Sequence, residues 1–398
     1  MANSNDAKVS TPSFGLGVKK LHPLEKSLFI RVFYSIIITN TMIVQPISDI
    51  SYFIEKFGHI DLPFAFKVKW HPKQSQDQFE TAITFVAKFN DCTVNSNPPL
   101  LITNDNLMVT DHVWPLLWQA KNKPKKTHKL WNNWGKKIDI NLPKPKKNYG
   151  AENTYVWMPI DKESSNNPWH VWIDVISKLR LVANLKQKHM FDYIYVFPCM
   201  STYLKKVLKE IFPHMQYFVM EKNSTLKFRH LIVPSMSNRD DGVTNPRIIE
   251  WLRTFGPAKS NPDKKIFITR KDAKTRQLVN QEELLLALAG FKPVELSQYT
   301  VQEQMKIFDT ATHVVATHGA GLVNLLWCQH GTKVIEINHI EQVDKKVYPV
   351  LSHNCGLIHK VLFGDKIKLN HKDKPKGVKR LNDMANIKIN VQEVIKCL

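Results

Sequence analysis

The sequence predicts an α/β chain whose clearest part is a parallel, Rossmann-like sheet. Three observations predict it. Strand-like and helix-like segments alternate cleanly over 263–340, a pattern that implies parallel strands joined by right-handed crossovers. His313 to Ala316 is a short run of β-branched and small apolar residues suited to a buried strand, and it ends in the tight turn Thr317-His318-Gly319-Ala320-Gly321. A second α/β unit occupies 151–235. With 398 residues, two domains are the natural division, and 43% hydrophobic content supports sizeable cores and excludes a disordered chain.

In chain order, 1–20 reads as a loose N-terminus. Residues 21–118 mix strand-like runs such as Leu100-Leu101-Ile102 with turns such as Asn95 to Pro99, and carry no repeat or motif. Residues 119–150 form a basic insertion. Ten lysines lie from Lys121 to Lys147, Trp131 and Trp134 stand among them, Asp139 is the only acid, and Pro124, Pro143 and Pro145 prevent a long helix. Such a stretch suits phosphates and stacked bases, an anionic glycan or an anionic membrane surface, or a plain solvated insertion. No nucleic-acid fold signature supports the base-stacking version.

The unit at 151–235 opens with a helix capped by Asn166 or Asn167, with Pro168 in its first turn. His170 and Asp174 are then i, i+4 neighbours on one face. Asp174 can orient His170, or either can deprotonate an acceptor hydroxyl; the spacing equally fits a surface ion pair. Tyr193 to Phe197 is a strand, Ser201 to Ile211 a helix and Phe228 to Val233 a strand. Turn-formers make 236–262 a link holding a helix from Ile248 to Phe255; the adjacent Asp240-Asp241 does not read as a metal site. Strand Ile266 to Thr269, helix Gln281 to Ala289 capped by Asn280, strand Pro293 to Leu296 and helix Val301 to Thr310 lead to the central strand. A short apolar helix from Leu322 to Cys328, Gly331 and a strand from Thr332 to Ile337 follow.

At the small-residue turn, backbone N–H groups and a helix start meet where ligands of open α/β sheets bind, a ready site for a phosphate or diphosphate; the turn by itself equally fits a plain tight βα corner. His318 stands at that strand end, and Asn324 follows on the helix. Glu336, on the next strand, could accept ribose hydroxyls. Arg270 stands just past another strand end, where it could grip a diphosphate bidentately; Arg276 could do the same or pair with Glu282 or Glu283. The tail, 341–398, carries a basic loop from Lys372 to Arg380 and an Asn390-capped closing helix.

The net charge of +21 favours acidic partners and is silent on fold. The five cysteines are odd in number and widely spaced, which reads as free thiols in a reducing compartment. Residues 1–20 lack signal-peptide features. Ser27 to Val44 contains Arg31 and Asn40, costly inside a membrane. The expectation is a cytoplasmic protein, peripheral to a membrane through Lys121 to Lys147. The alternative is the secretory-pathway lumen, with Ser27 to Val44 as signal anchor.

His318-Gly319-Ala320-Gly321-Leu322-x-Asn324, followed by Gly331-x-x-Val334-Ile335-Glu336-Ile337, resembles the signature of family 61 glycosyltransferases, which include plant xylosyl- and arabinosyltransferases and animal O-GlcNAc transferases of the secretory pathway. Arg270-Lys271-Asp272-Ala273, Arg276-x-Leu278-x-Asn280-x-Glu282-Glu283 and Gln304-x-x-x-Phe308 follow the family's order, and Asn167-x-x-His170-x-x-x-Asp174 resembles its N-terminal motif. The resemblance implies a GT-B-like architecture: two Rossmann-like domains with parallel sheets facing across a cleft, here 21–240 on the acceptor side and 241–370 on the nucleotide-sugar side, with 371–398 closing the chain. It also implies an inverting, metal-independent transfer from a nucleotide sugar, UDP-linked by analogy, to a hydroxyl of a glycan, lipid-linked oligosaccharide or protein. His170 and Asp174 would be catalytic; Arg270, Arg276, His318, Gly319, Ala320, Gly321, Asn324 and Glu336 would bind the donor, with no metal and no further cofactor. The competing class is a non-catalytic basic polyanion-binding protein, motivated by the charge and the lysine/tryptophan stretch.

Overall fold

The computed structural model describes residues 36–38, 60–61, 65–68, 77–80, 84–97, 99–102, 107–109, 143–185, 189–237, 243–273, 275–339, 346–367 and 385–398. Most of the basic insertion, the basic loop of the tail, Asp240-Asp241 and all of Ser27 to Val44 except Ile36–Ile38 therefore lie outside the described residues. Among the described residues no helix is long and apolar enough to cross a membrane.

The α/β class holds. Ten strands make the first sheet, along the order Ile36–Ile38, Leu107–Val109, Pro99–Ile102, Thr84–Ser96, Thr225–Pro234, Tyr155–Trp157, Ile194–Phe197, Gln216–Val219; Ile60–Asp61 and Lys147–Tyr149 branch from it. From Thr225–Pro234 onward the neighbours run parallel, as the alternation over 151–235 implies. The other half is antiparallel. The sheet is thus mixed, not the wholly parallel one that a Rossmann-like domain implies. The physical reason lies in the first strands: Thr84–Ser96 is followed by Pro99–Ile102 after only two residues, too short a connection for a parallel crossover, so the two pair antiparallel. The sheet also curls, since Phe218 of its last strand stacks on Tyr149 at 5.5 Å and Tyr149 on Phe228 at 4.9 Å.

The second sheet has six strands in the order Phe291–Val294, Lys264–Ile268, Ala311–Thr317, Lys333–His339, Ile358–Ile367, Asn386–Lys388. All its pairings are parallel except the last. Helix Val301–Asp309 is set by a reciprocal cap: Thr300 Oγ1 accepts from the Glu303 amide at 3.2 Å, and Glu303 Oε2 accepts from the Thr300 amide at 2.8 Å. Gly331, at φ 84°, turns the chain into Lys333–His339, a left-handed conformation that glycine adopts without strain.

Two local expectations change. Asn280 does not cap helix Gln281–Ala287; its side chain exchanges hydrogen bonds with the Ile389 backbone at 2.9 and 3.1 Å, so a partner 109 residues away outcompetes the local cap. The resemblance also implies a tail that packs back on the first domain, and here it stays with the second sheet. Asn386–Lys388 pairs with Ile358–Ile367, and helix Val391–Ile395, capped by Asn390 at 3.0 Å, buries Val391 and Val394 with Leu284 and Ile387.

Helix Pro168–His170, a π-helical turn Val171–Ile176 and helix Lys178–Ala183 lie between the sheets. One continuous buried cluster runs from Tyr195 of the first sheet through Trp172 and Trp327 to Val314 of the second. A clamp adds to it: Glu210 of helix Thr202–Ile211 accepts from the amides of Val301 and Gln302 at 2.8 and 3.2 Å.

Candidate active site

The site is built on the carboxyl ends of the parallel strands. Ala311–Thr317 is buried through its last four residues, and His318 follows it at 4% exposure, its amide donating to Ile337 O at 2.8 Å. Gly319 is extended, at φ 172° and ψ 166°. Its lack of a side chain matters for space: a Cβ there would overlap the Arg270 guanidinium. Gly321 is equally close-packed, with Leu296 Cδ1 2.6 Å from where its Cβ would stand. The expected short helix is a 3-10 helix, Ala320–Trp327, whose opening N–H groups have no acceptor within the helix. Asn324 is buried and donates to Gly321 O and Gln304 Oε1, each at 3.1 Å; it braces the turn from behind.

Arg270 follows strand Lys264–Ile268 and reaches across to the turn. Its Nη2 donates to Thr275 O at 3.3 Å, while its buried Nε has no hydrogen-bond partner. Burial, then the neighbouring charge of Arg276, pushes the guanidinium down to about 10, so it remains a cation at neutral pH. Arg276 holds a left-handed backbone at φ 55°, a strained conformation for a side chain of its size.

Glu336 sits in the middle of Lys333–His339, fully buried. One carboxylate oxygen accepts from His318 Nδ1, the other from His359 Nε2 at 3.0 Å, and His359 Nδ1 meets Ser352 Oγ at 2.7 Å. Burial alone would raise this carboxyl; the charge and hydrogen bond of His318, joined by His359, hold it at about 2. With both oxygens occupied and no exposure, Glu336 cannot make the ribose contact expected of it. It fixes His318 instead, leaving Nε2 as that ring's remaining nitrogen.

The second half of the site is the helix between the sheets. Asn167 Oδ1 accepts from the Trp169 amide at 3.0 Å and starts it, with Pro168 next. His170 Nδ1 and Asp174 Oδ2 are 2.6 Å apart, at 30% and 13% side-chain exposure, on a π-helical turn of the kind enriched at functional sites. Burial pulls the His170 imidazole down, but the hydrogen bond and charge of Asp174, with Asp161 behind, carry it above its ordinary value. Lys178, one turn further, is buried, and burial lowers its amine to about 8 against the pull of Asp174.

Rings join the two halves. Trp169, next to His170, meets Tyr348 edge-on at 5.4 Å, and Tyr348 meets His318 at 5.0 Å. Trp172 packs on Trp327 of the 3-10 helix at 5.0 Å. The structure therefore brings the His170–Asp174 helix against the small-residue turn, and the Arg270 guanidinium also lies against that turn. Sequence reasoning missed Tyr348, His359, Ser352 and Lys178. Lys178 alone carried a local signal, standing four residues beyond Asp174. Among the described residues no group of three or more His, Cys, Asp or Glu side chains has metal-binding geometry, and all five cysteines are unpaired.

Arg270 thus stands past the end of Lys264–Ile268 beside the turn that His318 opens, and Tyr348 and Trp169 link that turn to the helix of His170 and Asp174 in one α/β strand-end site. Residues 169–335 match the family model for Glycosyltransferase 61, so this stretch is similar to the family 61 glycosyltransferases. The match takes in His170, Asp174, Arg270, Arg276, the turn and Asn324, and stops one residue short of Glu336. No curated protein matches the chain.

Proposed function

We propose that the protein is an inverting glycosyltransferase of GT-B type that moves a sugar from a UDP-sugar to an acceptor hydroxyl of a glycan, lipid-linked oligosaccharide or protein. The observation that carries this is the Arg270 guanidinium lying in the space that the missing side chain of Gly319 leaves open. A fixed cation, the opening N–H groups of the 3-10 helix and His318 then converge on one point, and a diphosphate is the ligand whose charge they match.

The acceptor side follows from the tautomer. Asp174 occupies His170 Nδ1, so Nε2 is the nitrogen that faces outward, and His170 acts as general base with Asp174 holding its orientation. The acceptor oxygen, losing its proton to Nε2, forms the new bond to the anomeric carbon. The bond from that carbon to the phosphate oxygen breaks, and the diphosphate leaves with its electron pair. Arg270, Arg276 and the turn stabilise that charge, which is the work a divalent cation would otherwise do.

Calorimetric titration of UDP into wild type and Arg270→Ala tests the donor site. The variant is expected to bind UDP at least tenfold more weakly, with unchanged thermal stability. Equal affinity in the two proteins removes Arg270 from the site. Turnover of UDP-sugars with glycan and peptide acceptors then tests the transfer itself.

A further inference from the structure

The helix that carries His170 and Asp174 runs on into a buried charge. Lys178, four residues beyond Asp174, is 1% exposed. A lysine is almost never sealed in this way unless a countercharge stands near it. Helix Lys178–Ala183 packs against strands Thr84–Ser96 and Thr225–Pro234 and the 3-10 turn Met190–Asp192. On those elements Lys88, Asp91, Arg229 and Asp192 face solvent, and Lys227 and His230 are half-buried. The charge that acts on Lys178 is that of Asp174. We propose that Lys178 is a positioning residue: its sealed ammonium keeps the Asp174 carboxylate ionised and aimed at His170 Nδ1, and so governs how tightly the open nitrogen of His170 holds a proton. The proposal rests on the reading of His170 as general base and adds what stands behind that base.

Three observations carry it. The groups form a series from solvent to core: the His170 side chain is 30% exposed, that of Asp174 13%, and Lys178 is sealed. The second observation is the π turn on which they stand. The Ser177 amide donates to Trp172 O at 3.1 Å, five residues back, and so passes over Ile173 O. Ile173 O accepts instead from the hydroxyls of Ser177 and Ser237, the latter at 2.7 Å. Both serines are fully buried, and Ser237 lies 60 residues further along the chain. A wider turn changes the angle at which the next turn leaves a helix. This dry clamp fixes that angle, and with it the place of Lys178 behind Asp174. The third observation is the state of the amine. Burial lowers it to about 8, so it is still mostly a cation at neutral pH. A cation behind a carboxylate lowers the proton affinity of the pair that the carboxylate belongs to. Asp174 and Asp161 raise His170; Lys178 tempers that rise through Asp174, which leaves the ring neutral and able to accept a proton nearer neutral pH.

The test is the titration of the His170 ring, followed by NMR on the histidine-labelled full chain, with its signal identified by its loss in His170→Gln. Lys178→Met keeps an unbranched side chain in the core and removes the charge. In that variant the His170 titration is expected to move to higher pH, opposite to its move in Asp174→Asn. The acid limb of transfer moves with it, so the rate on that limb falls about threefold or more, while UDP affinity stays that of wild type. Lys178→Gln is neutral but can still hydrogen-bond, and it is expected to move the titration in the same sense; it carries the test where Lys178→Met does not fold. A His170 titration that stays in place in these neutral variants, while Asp174→Asn still moves it, overturns the proposal and leaves Lys178 as packing. A titration that moves as expected in a protein that transfers no sugar sustains the arrangement and overturns only the reading of His170 as the base for transfer.

Discussion

The molecule holds two histidine–carboxylate pairs, and they are opposites. His170–Asp174 is made by one helix, four residues apart, and both side chains touch solvent. His318–Glu336 is made by two parallel strands, 18 residues apart, and is sealed, with His359 of a third strand on the other carboxylate oxygen. A histidine open at one nitrogen can trade a proton with a substrate. A histidine held by a buried carboxylate, itself held by a second imidazole, is fixed in place. The first pair is open to solvent at one ring and the second holds its ring rigidly, so burial and topology give the same two residue types different settings.

The largest expected effect breaks the first pair. His170→Ala should lower transfer by about 10²–10⁴-fold, the range for losing a general base, while UDP affinity stays unchanged. Asp174→Asn should lower it less and change its pH profile. The base must be neutral, so wild-type rate rises with pH through the raised His170 value; removing Asp174 takes away the hydrogen bond and charge that raise it and leaves burial, which lowers it. The acid limb of the rate profile therefore moves to lower pH in the variant. Wild-type transfer in both variants, or an acid limb that does not move, would reduce the pair to a surface salt bridge.

Breaking the second pair should cost the fold first. Glu336→Gln removes the buried carboxylate on which both imidazoles are hydrogen-bonded, a loss of about 3–5 kcal/mol by comparison with other buried pairs, read as a fall in midpoint by scanning calorimetry. The pH dependence has a definite sign. The Glu336 carboxyl is depressed to about 2, so its contribution is complete above the ordinary carboxylate range and is lost as pH falls towards 2. The variant should therefore lose less stability than wild type over that acid window. An equal loss in both proteins would mean that Glu336 is not the group being titrated.

The same contrast explains what the sequence disclosed. His170 and Asp174 could be paired on paper because helix geometry brings i and i+4 together. His318 and Glu336 could each be picked out, one at a strand end and the other in the following strand. Their bond to one another could not, nor could His359, Ser352 or Tyr348, since strand pairing and helix packing bring these together and no local period records it. The parallel second sheet was legible from its alternation. The mixed first sheet was not, because it depends on Thr225–Pro234 finding Thr84–Ser96 more than a hundred residues back. Asn280 shows the same override at one residue, with a capping signal lost to a distant backbone.

The smallest expected effect isolates the turn from both pairs. Gly319→Ala adds one methyl group where the Arg270 guanidinium now lies, so the guanidinium must move. The backbone has no reason to change, because a φ of 172° is extended and open to any residue. Stability should hold within about 0.5 kcal/mol, as for substitutions that create no cavity or strain. UDP affinity should fall about tenfold, equivalent to about 1.4 kcal/mol, and combining it with Arg270→Ala should add little, since both act through one cation. An alanine variant that binds UDP as wild type does would show that Arg270 grips the diphosphate equally well from elsewhere. The close approach at Gly319 would then be packing alone.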